Sequence, residues 1–86
     1  MSKTFADKVR DVVRQIPKGK TMTYKEVAVK AGNPKAARAV GAVMRSNFNR
    51  DIPCHRVIYS SGQLGHYNRG GTLRKKAILK AEGALK

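Results

Sequence analysis

Cysteine is almost absent from this 86-residue sequence. The single one, Cys54, has no partner, so no internal disulfide can staple the fold. A lone free thiol fits a reducing compartment, and the expected location is inside the cell: cytoplasmic, or nuclear in a eukaryote. Long apolar runs are missing too. The opening stretch MSKTFADKVRDVV contains none, which argues against a signal peptide and a transmembrane helix. Paired Cys and His spacings are lacking. Cys54, His55 and His66 are the only such residues, and a structural zinc site wants four ligands, so no metal is expected. No second thiol and no recognisable cofactor motif is present, so no cofactor is expected. Repeats, linkers and low-complexity segments are absent. The chain reads as one small domain over residues 1–86 with a single core, expected to be a monomer.

Acidic side chains are the other scarcity. Asp7, Asp11, Glu26, Asp51 and Glu82 are all there are, against 19 Lys and Arg, for a formal charge of +14. From Lys30 to Lys80 eleven basic residues face one acid, Asp51. Self-repulsion on that scale opposes folding, and a polyanionic partner relieves it. Nucleic acid is the first candidate; a merely soluble basic protein is the plain alternative. A membrane surface fits less well, because the cations are not confined to one amphipathic helix.

Four helices are legible. Phe5, Val9, Val12, Val13 and Ile16 recur at helical spacing, which predicts an amphipathic helix over about 4–16, capped by Ser2 or Thr4. PKGK at 17–20 turns the chain. Thr23 and Glu26 form a Thr-x-x-Glu capping box, so a second helix should start near Tyr24 and end at Gly32. Asn33 and Pro34 predict the cap and first residue of a third helix over 34–46. Two helices joined this tightly match a helix-turn-helix, or an ordinary helical hairpin. The third carries small residues, Ala36, Ala37, Ala39, Gly41 and Ala42, which permit close approach to a groove or to another helix. Arg38 projects from that surface, with Arg45 two turns on. VIYSSGQLG, from Val57, reads as a strand, a Ser-Ser-Gly turn and a returning strand. A fourth helix is expected over 72–82 with Leu73, Ala77, Ile78 and Ala81 inward and Gly83 as its stop. The fold class is therefore mainly α with a small β-hairpin, a winged helix-turn-helix-like domain.

DIPCHRVI, residues 51–58, holds the chemistry. A lone cysteine is often a small buried hydrophobe. Here His55 and Arg56 follow Cys54, and Pro53 precedes it, favouring a helical turn. A base, a positive charge and a helix start all favour the thiolate that a nucleophile needs. Neighbours on a helix point about 100° apart, so His55 is expected to reach the sulfur through a water. A carboxylate would orient the imidazole. Asp51 and Glu82 are the candidates, with Glu82 preferred at the end of the last helix.

GNPKAARAVG at 32–41, PCHRV at 53–57, SSGQLGHY at 60–67 and KAEG at 80–83 resemble the C-terminal domain of the O6-alkylguanine-DNA alkyltransferases. The resemblance covers almost the whole chain and implies a single-domain form without the family's N-terminal domain. It implies binding of double-stranded DNA containing O6-alkylguanine, with the helix-turn-helix in the minor groove. Ala37, Ala39 and Arg45 would lie at the DNA, and Arg38 would fill the gap left by the flipped guanine. Tyr24 would press on the rotating phosphate and help protonate the leaving guanine. Cys54 would take the alkyl group irreversibly, activated by His55 through a water and by Glu82. The carbonyls of Cys54 and Val57 would read the guanine amino group, Tyr67 would wall the pocket, and the Asn68 N–H would meet O6. Asn47 resembles the hinge asparagine between recognition helix and active site. Two departures stand out. The loop from Asn47 to Cys54 is one residue shorter and more polar than the family pattern, and NRGG after Tyr67 is one residue longer.

Two rivals remain. Alkyltransferase-like proteins share this fold, bind alkylated DNA without transfer and recruit other repair factors; they usually carry tryptophan where this chain has Cys54. A winged-helix regulator would read bases in the major groove with long polar side chains, and the alanines of the third helix are poor readers.

Overall fold

The structure is a computed structural model that describes residues 3–47, 49, 51–65, 67 and 70–85. Helix α1 runs Phe5–Arg14, slightly shorter than its apolar pattern. Thr4 is the cap: its hydroxyl accepts the Asp7 N–H at 3.1 Å, and the Asp7 carboxylate accepts the Thr4 N–H at 3.2 Å. Val9 and Val13 are buried, and Ile16 follows in the turn beyond the helix. Strand β1, Met22–Thr23, leads directly into α2, Tyr24–Lys30. The Thr23–Glu26 box is formed at both ends, with 3.0 Å bonds in each direction. Gly32 sits at φ +98°, which an L side chain resists. Gly32 N–H bonds to Val29 O and Asn33 N–H to Ala28 O, the paired bonds of a Schellman cap.

Helix α3 is Ala37–Arg45 and starts later than the predicted 34. Asn33 does not cap it. Its side-chain oxygen accepts the Lys35 N–H at 3.2 Å and its carbonyl accepts the Ala36 N–H at 3.0 Å, closing a turn that uses up Pro34 and Lys35. No side chain caps α3.

The small sheet is present, but its pairing differs from the hairpin expected. Strand β2, Val57–Ile58, pairs in parallel with β1, Met22 opposite Val57 and Thr23 opposite Ile58. After β2 the chain does turn, with Tyr59 N–H donating to Gln63 O at 2.8 Å. The returning segment forms no strand, because Gly65 at φ +77° leaves the extended region.

Helix α4 is Gly71–Ala81. Its inward face is not the predicted one. Lys75 and Leu79 are buried and Ile78 partly so, whereas Leu73 is 84% exposed and Ala77 and Ala81 face solvent. Polar anchors set this rotation: Lys75 reaches the Val57 carbonyl and Glu82, just past the helix, reaches Arg56. The described residues thus form a mainly helical, winged helix-turn-helix-like fold around one core of α1, α2, α3 and the segment 52–57. Among the described residues, no helix is long and apolar enough to cross a membrane.

The Thr23 cap joins β1 to α2 and so aims Tyr24. Thr23→Ala should lower the unfolding free energy by about 1 kcal/mol, read as a drop of several degrees in a circular-dichroism melt, and Thr23→Ser should restore most of it.

Candidate functional site

The site is built on the segment between α3 and β2. Asn47, buried just beyond α3, organises its entry. Its Oδ1 accepts the Asn49 N–H at 3.2 Å, and its Nδ2 points to the carbonyls of Asn49 and Ile52 at 3.4 and 3.5 Å. Ile52 is buried, and its carbonyl accepts the Cys54 N–H at 2.8 Å. Cys54, 5% exposed, opens a single 3-10 turn, Cys54–Arg56, with Pro53 at its cap. The Val57 N–H then closes onto the Cys54 carbonyl. A purely local set of backbone bonds therefore carries the thiol from α3 to the sheet.

His55 and Arg56 converge on one carboxylate. His55 Nε2 lies 3.0 Å from Glu82 Oε1. Arg56 clamps both carboxylate oxygens, Nε to Oε1 at 3.0 Å and Nη2 to Oε2 at 2.7 Å, while Nη1 donates to the Ile16 carbonyl at 2.8 Å. Glu82, not Asp51, is the acid beside the histidine; Asp51 is exposed on the loop. Hydrogen bonding to Arg56 is the main force that pulls the Glu82 carboxyl down to about 2, with His55 adding to it. Burial pushes His55 below its ordinary value, more than Glu82 raises it. His55 is thus neutral at pH 7, with Nε2–H donated to Glu82 and the Nδ1 lone pair left as a base.

Tyr24, at the start of α2, is buried, with its ring 4.7 Å from that of Tyr59. Burial, then the neighbouring Tyr59 and Cys54, push its phenol up to about 12, so it stays protonated. Lys75 is fully buried. Its Nζ donates to the Val57 carbonyl at 2.6 Å and lies 5.7 Å from the Tyr24 ring centroid. Burial pulls Lys75 down to about 8, against an opposing pull from Cys54. Tyr67 is buried with its ring edge-on to His55, 6.4 Å between centroids. Asn68 lies outside the described residues, as does His66.

On the outer side, Arg38 and Arg45 of α3 line a concavity of about 430 Å³ with Tyr24, Lys25, Ala37 and Tyr59. Ala39 is exposed on α3. The structure therefore groups Cys54, His55, Glu82, Tyr24, Val57 and Tyr67 on one side, and Arg38, Arg45 and Ala37 on another, with Tyr24 between the two. Among the described residues, no three of His, Cys, Asp and Glu gather as a metal-binding group.

Three residues escaped the reading of the sequence. Arg56 was seen as a charge near the thiol, not as the clamp on Glu82. Tyr59 was only a strand residue. Lys75 was lost in the basic run RKK, although Lys75, Ile78, Leu79 and Glu82 fall at i, i+3, i+4 and i+7, the spacing of one helix face.

Comparison with known proteins agrees in fold and motif. The family model of the DNA-binding domain of 6-O-methylguanine DNA methyltransferase matches residues 4–84. A methylated-DNA--protein-cysteine methyltransferase of Methanothermobacter thermautotrophicus is 51% identical over 80 residues, 92% of this chain and 44% of that protein. Mycobacterium tuberculosis OGT in complex with DNA superposes with a TM-score of 0.87 at 41% identity, covering 98% of this chain and 52% of that one. S. pombe Atl1, in complex with damaged DNA containing O6-carboxymethylguanine, superposes at 0.83 with 37% identity, covering 95% of this chain and 80% of that one. Mouse methylated-DNA--protein-cysteine methyltransferase is 54% identical over 66 residues, 76% of this chain and 31% of that protein. The chain spans between 31% and 51% of the length of these curated relatives and others like them.

The buried lysine has a measurable signature. Lys75 releases its proton near pH 8 in the folded chain and near 10.5 when unfolded. Between these values the unfolded chain binds more protons, so stability rises with pH. The rise ends near pH 10, where unfolded Tyr24 begins to ionise while the folded phenol, held at about 12, does not. Urea unfolding of wild type should show a gain on the order of 2 kcal/mol from pH 8 to 10 that Lys75→Met lacks.

Proposed function

The chain belongs to the family of 6-O-methylguanine DNA methyltransferase DNA-binding domains, and we propose that it repairs DNA by direct reversal, moving the alkyl group of O6-alkylguanine onto Cys54. The observation that carries this reading is the Glu82 carboxylate 3.0 Å from His55 Nε2, in the turn that holds the chain's sole thiol. On this reading residues 1–86 act as one monomeric unit, inside the cell, on duplex DNA.

The basic α2–α3 unit holds the duplex. The small residues Ala37 and Ala39 let α3 approach the minor groove, and Arg38 occupies the stack vacated by the flipped base. Extrusion costs a few kcal/mol, which a side chain in the gap offsets. In the pocket, the carbonyls of Cys54 and Val57 accept the guanine amino group. A carbonyl oxygen carries two lone pairs, and the Val57 N–H takes one on Cys54 and Lys75 one on Val57. Tyr67 walls the pocket, Asn68 N–H meets O6, and Asn47 fixes the loop that presents Cys54.

The Cys54 proton passes through a water to His55 Nδ1, and the imidazolium is stabilised by ionised Glu82. The thiolate attacks the alkyl carbon as the carbon–O6 bond breaks. The electron pair stays on the guanine, which Tyr24, a protonated phenol, supports by hydrogen bonding and proton donation; the phenol is reprotonated through solvent as the His55 imidazolium gives up its proton. The products are guanine in DNA and an S-alkylcysteine. A thioether is a poor leaving group, and the proposal includes no second nucleophile, so each chain reacts once.

Mass spectrometry after incubation with an O6-methylguanine duplex should show one added methyl group per chain, located on Cys54. Titration against excess duplex should plateau at one equivalent, and Cys54→Ala should repair nothing. Lesion binding without a mass gain would leave the non-catalytic, alkyltransferase-like reading in its place. Repair surviving in Cys54→Ala would sink the assignment of the nucleophile.

Arg38→Ala should separate flipping from holding. Single-turnover transfer should slow severalfold or more, while affinity for undamaged duplex changes less, because other cations hold the phosphates. Equal losses in both measurements would remove Arg38 from the stack.

A further inference from the structure

Tyr59 belongs to none of the steps above, and its setting is unusual. The residue follows β2 directly. Its backbone is held from both sides, N–H to Gln63 O at 2.8 Å and carbonyl from Gly62 N–H at 3.0 Å. The position of the ring is thereby fixed, yet the residue is 45% exposed. One side of the ring packs on Tyr24, with centroids 4.7 Å apart and planes at 44°. Behind both rings lies Gly65. A Cβ there would come within 2.8 Å of Tyr59 Cε2 and 3.0 Å of the Tyr24 hydroxyl, so the backbone is pressed against the pair. At φ +77° Gly65 also occupies a conformation that side chains resist.

The exposed side of Tyr59 faces the concavity shared with Lys25, Arg38, Gly41 and Arg45, which no carboxylate lines. A rigid aromatic surface flanked by cations matches a nucleotide: the cations meet phosphates, and the ring takes an apolar sugar or base face. Arg38 and Tyr24, the two residues placed at the flipping event, line the same concavity. The contact must therefore lie at the extruded nucleotide or beside it.

We propose that Tyr59 is a further DNA-contacting residue of this site, packing its exposed ring face on the deoxyribose of the nucleotide that rotates out, while its other face props Tyr24. The inference rests on the reading of α2–α3 as the duplex-binding unit. It adds a residue that acts on the lesion strand during extrusion and not on the thiol.

Two experiments test it. In the first, Cys54→Ala protein, which cannot take up the alkyl group, is treated with tetranitromethane with and without O6-methylguanine duplex, and nitrated tyrosines are mapped by mass spectrometry. Tyr59 should be nitrated in free protein, and saturating duplex should protect it; undiminished nitration would overturn the contact. In the second, Tyr59→Leu and Tyr59→Phe are compared in single-turnover transfer from an O6-methylguanine duplex. Tyr59→Leu should be about tenfold slower, the order expected for one lost aromatic contact to a nucleotide. Tyr59→Phe should recover most of the rate. The rate of Cys54 labelling by iodoacetamide should not change in either, and the melting temperature should fall by no more than a few degrees in Tyr59→Leu, as loss of one aromatic pair predicts. Wild-type transfer by Tyr59→Leu, or a parallel fall in iodoacetamide labelling, would overturn the proposal. A wild-type protein that binds duplex but transfers no alkyl group would sink the catalytic reading instead, and duplex protection of Tyr59 would still decide this one.

Discussion

The carboxylate of Glu82 is where the molecule is tied together. It lies one residue past α4, and three distant pieces of chain meet on it. Arg56 grips both of its oxygens and reaches through to the Ile16 carbonyl beyond α1, and His55 takes what remains of Oε1. A buried carboxylate needs several donors to stay ionised, and a bidentate guanidinium is the geometry that supplies them. The consequence reaches the thiol. Because Arg56 holds Glu82 so far toward the charged form, the carboxylate does not take the histidine's proton. It orients the ring. The clamp on α4 and the partner of the histidine are one acid, so the position of α4 and the tautomer of His55 cannot vary independently.

Lys75 works from the same helix one face-repeat earlier. A fully buried ammonium is costly, and burial alone drives its proton affinity down. What it gains is a charge-assisted bond to the Val57 carbonyl. Val57 is the residue whose strand pairing with Met22 aligns β2 beside β1, and β1 leads into the cap that aims Tyr24. The lysine therefore fixes the register of the sheet beneath the site while placing a positive charge near Tyr24 and Cys54. α4 contributes no large apolar face to the core. It is docked by Leu79 and two polar anchors, and that explains its rotation.

This is also why the sequence was legible in some places and not in others. The Thr23–Glu26 capping box, the Gly32 stop and the apolar stripe of α1 depend on residues close together in sequence, and they could be read directly. The start of α3 was misjudged because Asn33 can cap a helix or close a turn, and both uses are local and chemically alike. The hairpin was misjudged because β2 alternates well enough for a strand, while its partner lies some 35 residues earlier. The inward face of α4 was the largest error. Hydrophobic periodicity assigns Leu73 to the core and Lys75 to solvent, and it cannot know that a carbonyl waits at Val57. Glu82 could be chosen over Asp51 from its place at the end of a helix, but the two hydrogen bonds it accepts from Arg56 span 26 residues and leave no trace in spacing. The local parts of the site were readable, and so was the pairing of His55 with Glu82; the other long-range polar contacts, Arg56 to Glu82 and Lys75 to Val57, were not.

Charge placement completes the picture. Asp7 and Asp11 sit on α1 against Lys3, Arg10 and Arg14, Glu26 is occupied by its own helix cap, and Glu82 is clamped inside. Four of the five acids are thus committed to capping, pairing or the clamp, and none of them lines the concavity beside α3. Lys25, Arg38 and Arg45 line that face with no carboxylate among the described residues, which favours a positive field there. The apolar and aromatic lining of the concavity lowers the local dielectric and sharpens the effect. A chain of this composition has little burial to set against self-repulsion. Among the described residues Lys75 is the one fully buried cation, so most of that repulsion acts at the surface, where it is screened by solvent and salt.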